Sequence, residues 1–422
     1  MKQIKIIGGN QLSGDIHIGG AKNSVVALIP AALLAEGNCE ITNVPNITDR
    51  DALFNIVKHL GCSVEMDGTV VRIDTNNIKN VEITEKLSKK LRASYYFMGV
   101  LLAKYKHAEM YFPGGCSIGE RPIDLHLKGF EALGATVTHD EETHKYIIDA
   151  KELVGTRIHL NFASVGATIN IMFAATMAKG TTVIDNAAKE TEIINIADFL
   201  NAMGAKVSGA GTSTITIEGV KKMHSSNIEV IPDRIEAGTY ILMGAMIGKD
   251  LRVCGVNPDH ITALLNKLKD MGIKYEVGDK SVTISKCEHI NPINITTLVY
   301  PGFPTDLGQP MSVLLTQAEG SSFFEETIWE NRMQHVEYLN KMGANIELKD
   351  NQHAIIHGKT VLKGCPINAT DLRGGAALVM AGLIAEGETR VSNIDYILRG
   401  YENLIRKLKK VGANISVIDV EE

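Results

Sequence analysis

A glycine beside a small residue, followed by a β-rich stretch, recurs six times, as LGCSVEM, LGATVTH, MGAKVSG, MGIKYEV, MGANIEL and VGANISV. The glycines are Gly61, Gly134, Gly204, Gly272, Gly343 and Gly412, about 70 residues apart, so the chain is six copies of one unit. An apolar helix rich in small residues precedes each, as in SVVALIPAALLAEG and LRGGAALVMAGLIAEG. A short strand follows (CEITNVP, TTVIDNA, TRVSNID), then an amphipathic helix that leads into the glycine, as in DALFNIVKHLG. Each repeat therefore reads β-α-β-α-β-β. The first helix is apolar nearly all round and should be buried, whereas the second has one wet face. The glycine just past the second helix fits the position where left-handed backbone ends a helix.

Repeats one to five finish on a further strand (TVVRID, KYIIDA, STITIEG, KSVTISK, HAIIHG), but repeat six stops at ISVIDVEE. The strand it lacks is expected to be KQIKIIG at the N-terminus, which would tie the first residues into the C-terminal half. The alternative is that the two ends fray. A length of 422 residues suggests two or three domains.

Charge and composition exclude several classes. The formal net charge is −6, with both signs interspersed and 5% aromatic residues, which argues against general nucleic-acid binding. The six cysteines (Cys39, Cys62, Cys116, Cys254, Cys287, Cys365) form no CxxC pair and have no zinc-type spacing with histidine. That usage suits a reducing cytoplasm. MKQIKIIGG lacks a signal-peptide core, and the longest apolar runs are far short of the ~18 residues of a membrane span. The expectation is a soluble cytoplasmic α/β protein with no metal-ligand motif.

The segments before the buried helices are AKN (Lys22, Asn23), LRAS (Arg92), SVGA (Ser164 to Gly166), DRIE (Asp233, Arg234, Glu236), PTD (Asp306) and DLRG (Asp371, Arg373), and four of the six carry a cation. A cation at a helix N-terminus is disfavoured by the helix dipole. Its repetition makes sense if these helix ends bind a multiply charged anion. The alternative is that each cation pairs with a local carboxylate or reaches solvent.

Cys116 lies in PGGCSIG, a glycine-rich insertion between a strand (AEMYF) and a helix (PIDLHLKGFEALG), with Arg121 five residues on. Such a loop reads as mobile and functional. No second thiol accompanies it, which disfavours metal and dithiol roles. Nucleophile, proton donor and inert residue remain open from the residues alone.

GAKN, LRAS, PGGCSIGERPIDLH, SVGAT, PDRIE, FPTD, ENR, TDLR and RGYE, in this order, resemble the UDP-N-acetylglucosamine enolpyruvyl transferase family over essentially the whole chain. The resemblance implies two inside-out α/β domains, each of three β-α-β-α-β-β repeats about a pseudo-threefold. The domains would be 21–230, carrying the Cys116 loop, and 1–20 plus 231–422, closed by the N-terminal strands. It implies a site between them that closes on phosphoenolpyruvate and UDP-N-acetylglucosamine in the first committed step of peptidoglycan synthesis. No nucleic acid, membrane insertion or cofactor is implied.

The family's proton donor matches Cys116, which is also a candidate for a covalent adduct with phosphoenolpyruvate and for alkylation by fosfomycin. Asp306 matches the proton acceptor, although a carboxylate there is also an ordinary helix cap. Lys22, Arg121 and Arg399 match the cations around phosphoenolpyruvate, Asn23 orients the intermediate, and Arg92 is a further substrate position. Arg121, Pro122, Ile123, Asp124 and Leu125 match the uracil grip. Ser164, Val165 and Gly166 match backbone donors to the diphosphate, and Ile328, Arg332 and Arg373 match further contacts. Phe162 stands where some family members have lysine, so that cation's contact is missing. The shikimate-pathway enolpyruvyl transferase and a non-catalytic regulatory duplicate are the competing expectations.

Overall fold

The computed structural model describes residues 2–113, 118–119 and 122–420, so Cys116 and Arg121 lie outside the described residues. The described chain falls into two compact lobes. One comprises residues 20–231 apart from 118–119, and the other residues 2–19, 118–119 and 232–420.

Each lobe is built around three helices that sit inside a shell of sheets. The first lobe has α1 (Lys22–Ala32), α2 (Tyr96–Tyr105) and α3 (Val165–Ala175). The second has α4 (Arg234–Ile247), α5 (Gly308–Leu315) and α6 (Leu372–Ile384). Ser24 to Ala32, Tyr96 to Ala103 and Ala167 to Ala175 are buried without a break, as are all of α4 and α5. This is the all-round burial expected of helices with no polar stripe. The helices that precede the repeat glycines, such as Thr48–His59 and Leu404–Lys410, bury one face only. All six repeat glycines have positive φ, from +78° at Gly272 to +105° at Gly412, which ends each outer helix.

Small residues let the inner helices approach closely. The Gly99 N–H on α2 donates to Asn170 Oδ1 on α3 at 2.9 Å, and a Cβ at Gly99 would stand 2.5 Å from the Asn170 carbonyl oxygen. Gly99→Ala should therefore cost about 1–3 kcal/mol through overpacking. A denaturant midpoint equal to that of the wild type would contradict this contact.

Sheet pairing explains how the lobes are closed. Lys2–Ile7 takes the place of the strand that repeat six lacks. It runs antiparallel between Glu388–Ser392 and Asn414–Asp419, with Ile4 opposite both Val391 and Val417. Two further strands are exchanged. Leu12–His17, ahead of repeat one, pairs in parallel with Gly248–Cys254 of repeat four, while Asn227–Glu229, ahead of repeat four, pairs in parallel with Asn38–Thr42 of repeat one. Repeat two departs from the six-element pattern, because its first strand shrinks to a single bridge between Ile83 and Met110. Among the described residues, no helix is long and apolar enough to cross a membrane.

Candidate active site

In the second lobe the chemistry-bearing side chains gather at the N-terminal ends of the inner helices. Asp233 caps α4 through the N–H groups of Ile235 and Glu236, at 2.9 and 3.0 Å. Asp371 caps α6 through those of Arg373 and Gly374, at 2.9 and 3.1 Å. Asp306 stands in the tight turn Thr305–Leu307 that enters α5. Its two oxygens meet different guanidinium groups: Arg332 Nη2 donates to Oδ1 at 2.7 Å, and Arg373 Nη2 to Oδ2 at 3.2 Å. Both arginine side chains are buried, at 4% and 2% exposure, while Asp306 keeps 24%. A partly exposed carboxylate thus rests on two fixed cations.

That clamp is itself held. Arg332 Nη1 donates to Thr305 Oγ1 at 2.8 Å, and the Thr305 hydroxyl donates to Glu326 Oε2 at 2.7 Å. The buried Glu326 accepts at Oε1 from the Thr297 hydroxyl (2.9 Å) and from the N–H groups of Ile328 (2.8 Å) and Trp329 (3.1 Å). Gln309 Nε2 bridges the Arg332 carbonyl and Asp371 Oδ2, at 3.2 and 2.8 Å. Burial alone would raise Asp371, but the Arg332 charge and hydrogen bonds from Gln309, Gly374 and Arg373 outweigh it and hold the carboxyl below the usual carboxylate range. Arg373 also lies over the Tyr401 ring, 5.2 Å from its centroid.

In the first lobe, Lys22 Nζ pairs with the buried Asp49 at 3.2 Å. Ser164 Oγ caps α3 by accepting from the Ala167 N–H at 3.2 Å. The Ser164 N–H is already committed to the Phe162 carbonyl at 2.7 Å. Of the three backbone donors expected at Ser164, Val165 and Gly166, only the last two are left as helix-end amides without an intrahelical partner. Glycine at 166 lets the neighbouring side chains close on this helix end, since a Cβ there would stand 2.9 Å from both His126 Cε1 and Tyr95 Oη.

His126 is buried and bonded through Nδ1 to Asn170 Nδ2 at 2.9 Å. Burial, reinforced by the Arg92 charge, pushes its imidazole down to about 3, against an unfolded value near 6.5. Between those limits the unfolded chain binds a proton that the folded chain refuses. Stability is therefore whole above pH ~6.5 and falls as pH drops towards 3, by up to about 1.4 kcal/mol per unit. His126→Gln should flatten the decline of the denaturation midpoint between pH ~7 and ~5. A slope unchanged by the substitution would contradict this reading.

Asp306, Arg332 and Arg373 converge, and Ile328 joins them through Glu326. Arg399 is half-buried just after the short helix Asp395–Leu398, two residues before Tyr401. Lys22 and Asn23 open α1, and Arg92 lies over the Phe112 ring at 5.9 Å. Pro122 and Asp124 are exposed, Ile123 is buried and Leu125 is half-buried. Cys116 and Arg121 lie outside the described residues. Among the repeated cations, Lys22 and Arg373 each meet a carboxylate, and Arg92, Arg234 and Arg373 each lie over an aromatic ring. Glu326 and Gln309 were invisible as site residues in the sequence, because both lie outside the motif words, whereas Thr305 stands inside FPTD but was not singled out.

Lobes of buried inner helices set inside sheets have the fold of the enolpyruvyl transferases. The crystal structure of the enolpyruvyl transferase NikO from Streptomyces tendae matches 100% of this chain and 99% of its own, with a TM-score of 0.91 at 24% identity. The family described as EPSP synthase (3-phosphoshikimate 1-carboxyvinyltransferase) matches residues 6–408. UDP-N-acetylglucosamine 1-carboxyvinyltransferase 1 of Streptococcus agalactiae is 47% identical over 419 residues, covering 99% of this chain and 100% of the relative. UDP-N-acetylglucosamine 1-carboxyvinyltransferase 2 of Geobacillus kaustophilus is 48% identical over 415 residues, covering 98% and 96%. The chain belongs to the UDP-N-acetylglucosamine 1-carboxyvinyltransferase family, within the broader EPSP synthase family.

Proposed function

We propose that this chain transfers the enolpyruvyl group of phosphoenolpyruvate to the 3-hydroxyl of UDP-N-acetylglucosamine, releasing phosphate, as the first committed step of peptidoglycan synthesis. What carries this reading is identity of 47–48% with enzymes of that name along almost the whole chain. The five described cysteines are free thiols, in keeping with a cytoplasmic setting.

The reaction is addition followed by elimination. A proton adds to C3 of phosphoenolpyruvate, C2 becomes oxocarbenium-like, and the sugar oxygen bonds to C2 as its proton leaves to a base. Loss of a C3 proton then re-forms the double bond while the C2–O bond to phosphate breaks. We assign the C3 proton to Cys116 and the hydroxyl proton to Asp306. Asp306 keeps 24% of its side chain exposed while Arg332 and Arg373 fix its orientation, which supports a carboxylate held ready for a substrate hydroxyl. Lys22, Arg121 and Arg399 hold the carboxylate and phosphate of phosphoenolpyruvate, and Asn23 and Arg92 contact substrate. Residues 121–125 grip the uracil, the amides of Val165 and Gly166 face the diphosphate, and Ile328 adds a sugar-nucleotide contact. Arg332 and Arg373 act chiefly through Asp306.

The broader family's name keeps the shikimate reaction as the second reading. Phosphate release from phosphoenolpyruvate should require UDP-N-acetylglucosamine. Release driven by shikimate 3-phosphate instead would overturn the assignment, and tight binding without release would indicate a non-catalytic relative.

A further inference from the structure

Leu12–His17 forms the edge strand of a four-stranded sheet and runs parallel to Gly248–Cys254. Asp15 stands opposite Arg252, and His17 opposite Cys254. Ile16 and Val253 between them are buried on the core face, so Asp15, His17 and Cys254 share the other face. A carboxylate oxygen, an imidazole nitrogen and the Cys254 Sγ all lie within 4.8 Å of one another there.

We propose that Asp15, His17 and Cys254 form a binding site for a borderline-soft divalent cation of the Zn2+ type. Zinc bonds of about 2.0–2.3 Å place tetrahedral ligand atoms roughly 3–4 Å apart, within reach of small side-chain rotations from the observed arrangement. Thiolate and imidazole donors select Zn2+ over Mg2+ or Ca2+, which prefer all-oxygen sites. On ligation Cys254 releases its thiol proton to solvent, so one carboxylate and one thiolate balance the dication, and water completes the fourth position. The Arg252 contact to Asp15 is long (3.9 Å) and half exposed, so it is worth little and yields to a metal. Occupancy would staple the edge strand to its neighbour just ahead of Gly19 and Gly20, where the chain passes from the second lobe to the first.

The test is a chelator-competed Zn2+ titration of the full chain, with Co2+ substitution as the spectroscopic probe. One equivalent should bind, and Co2+ should give a thiolate-to-cobalt charge-transfer band. Cys254→Ser should abolish that band, while Cys287→Ser should leave it. Asp15→Asn and His17→Asn, both at exposed positions that keep the test open if Cys254→Ser fails to fold, should each weaken Zn2+ binding about tenfold or more. No stoichiometric binding, a band that survives Cys254→Ser, or wild-type affinity in His17→Asn would overturn the proposal.

Discussion

Asp306→Ala should lower kcat by about 10²- to 10⁴-fold, the usual worth of a positioned acid–base group, with UDP-N-acetylglucosamine binding largely retained. Two effects combine in that variant. The proposed base is lost, and two buried guanidinium groups lose the carboxylate that offsets their charge. Breaking a buried ion pair from one side typically costs about 3–5 kcal/mol, so the denaturation midpoint should fall as well. Asp306→Asn separates the two effects, because it keeps the side-chain volume and an acceptor for one arginine. If Asp306 accepts the hydroxyl proton, Asn loses as much activity as Ala while recovering part of the stability. An Asn variant with near wild-type kcat would leave Asp306 only a structural anchor for Arg332 and Arg373.

Replacing Cys116 by Ser should cost a comparable factor, about 10²-fold or more in phosphate release. Cys116 lies outside the described residues, and the expectation follows from thiol chemistry. A thiol with a reference pKa near 8.5 can hand a proton to an enol carbon at neutral pH, whereas a serine hydroxyl is far too weak an acid. Cations placed around phosphoenolpyruvate should depress the thiol pKa in the free enzyme, and the bound anion should offset them and restore it. Iodoacetamide alkylation followed against pH should therefore give a higher thiol pKa with phosphoenolpyruvate than without. Equal values in the two states would contradict that coupling, and full activity of Cys116→Ser would remove the residue from the acid role. Fosfomycin should inactivate the wild type and spare the serine variant.

Much of the fold was legible because it rests on local rules. Six glycines at one period marked the ends of six outer helices, and all six have the left-handed backbone that makes glycine the residue of choice there. Counting strands per repeat pointed to Lys2–Ile7 as the missing member of the last sheet, where it pairs on both sides. The exchange of Leu12–His17 and Asn227–Glu229 was not legible in the repeat pattern itself, although the family resemblance had assigned residues 1–20 to the second domain and 21–230 to the first. Either strand has the right pattern for its own repeat, and only tertiary packing decides which partner it takes.

The site divides in the same way. Motif words picked out Asp306, Arg332 and Arg373 separately, but the clamp they form depends on three chain segments meeting. Cations at helix starts suggested a single purpose, yet Arg373 is turned onto Asp306 and Lys22 onto Asp49. Cys254 looked like an isolated thiol because its neighbours His17 and Asp15 come from the far end of the sequence. Glu326 carried no signal, since a buried carboxylate satisfied by hydroxyl and backbone donors looks in sequence like any other strand-end acid.

Running the reaction in D2O and reading the isotope content of the product by mass spectrometry tests the proton-transfer claim most directly. Protonation at C3 followed by loss of a C3 proton predicts a UDP-N-acetylglucosamine enolpyruvyl ether carrying solvent deuterium in its vinyl group, formed together with phosphate. Product that forms at full rate with no vinyl deuterium would mean that C3 is never protonated from a solvent-exchangeable group, and the addition–elimination account would fail.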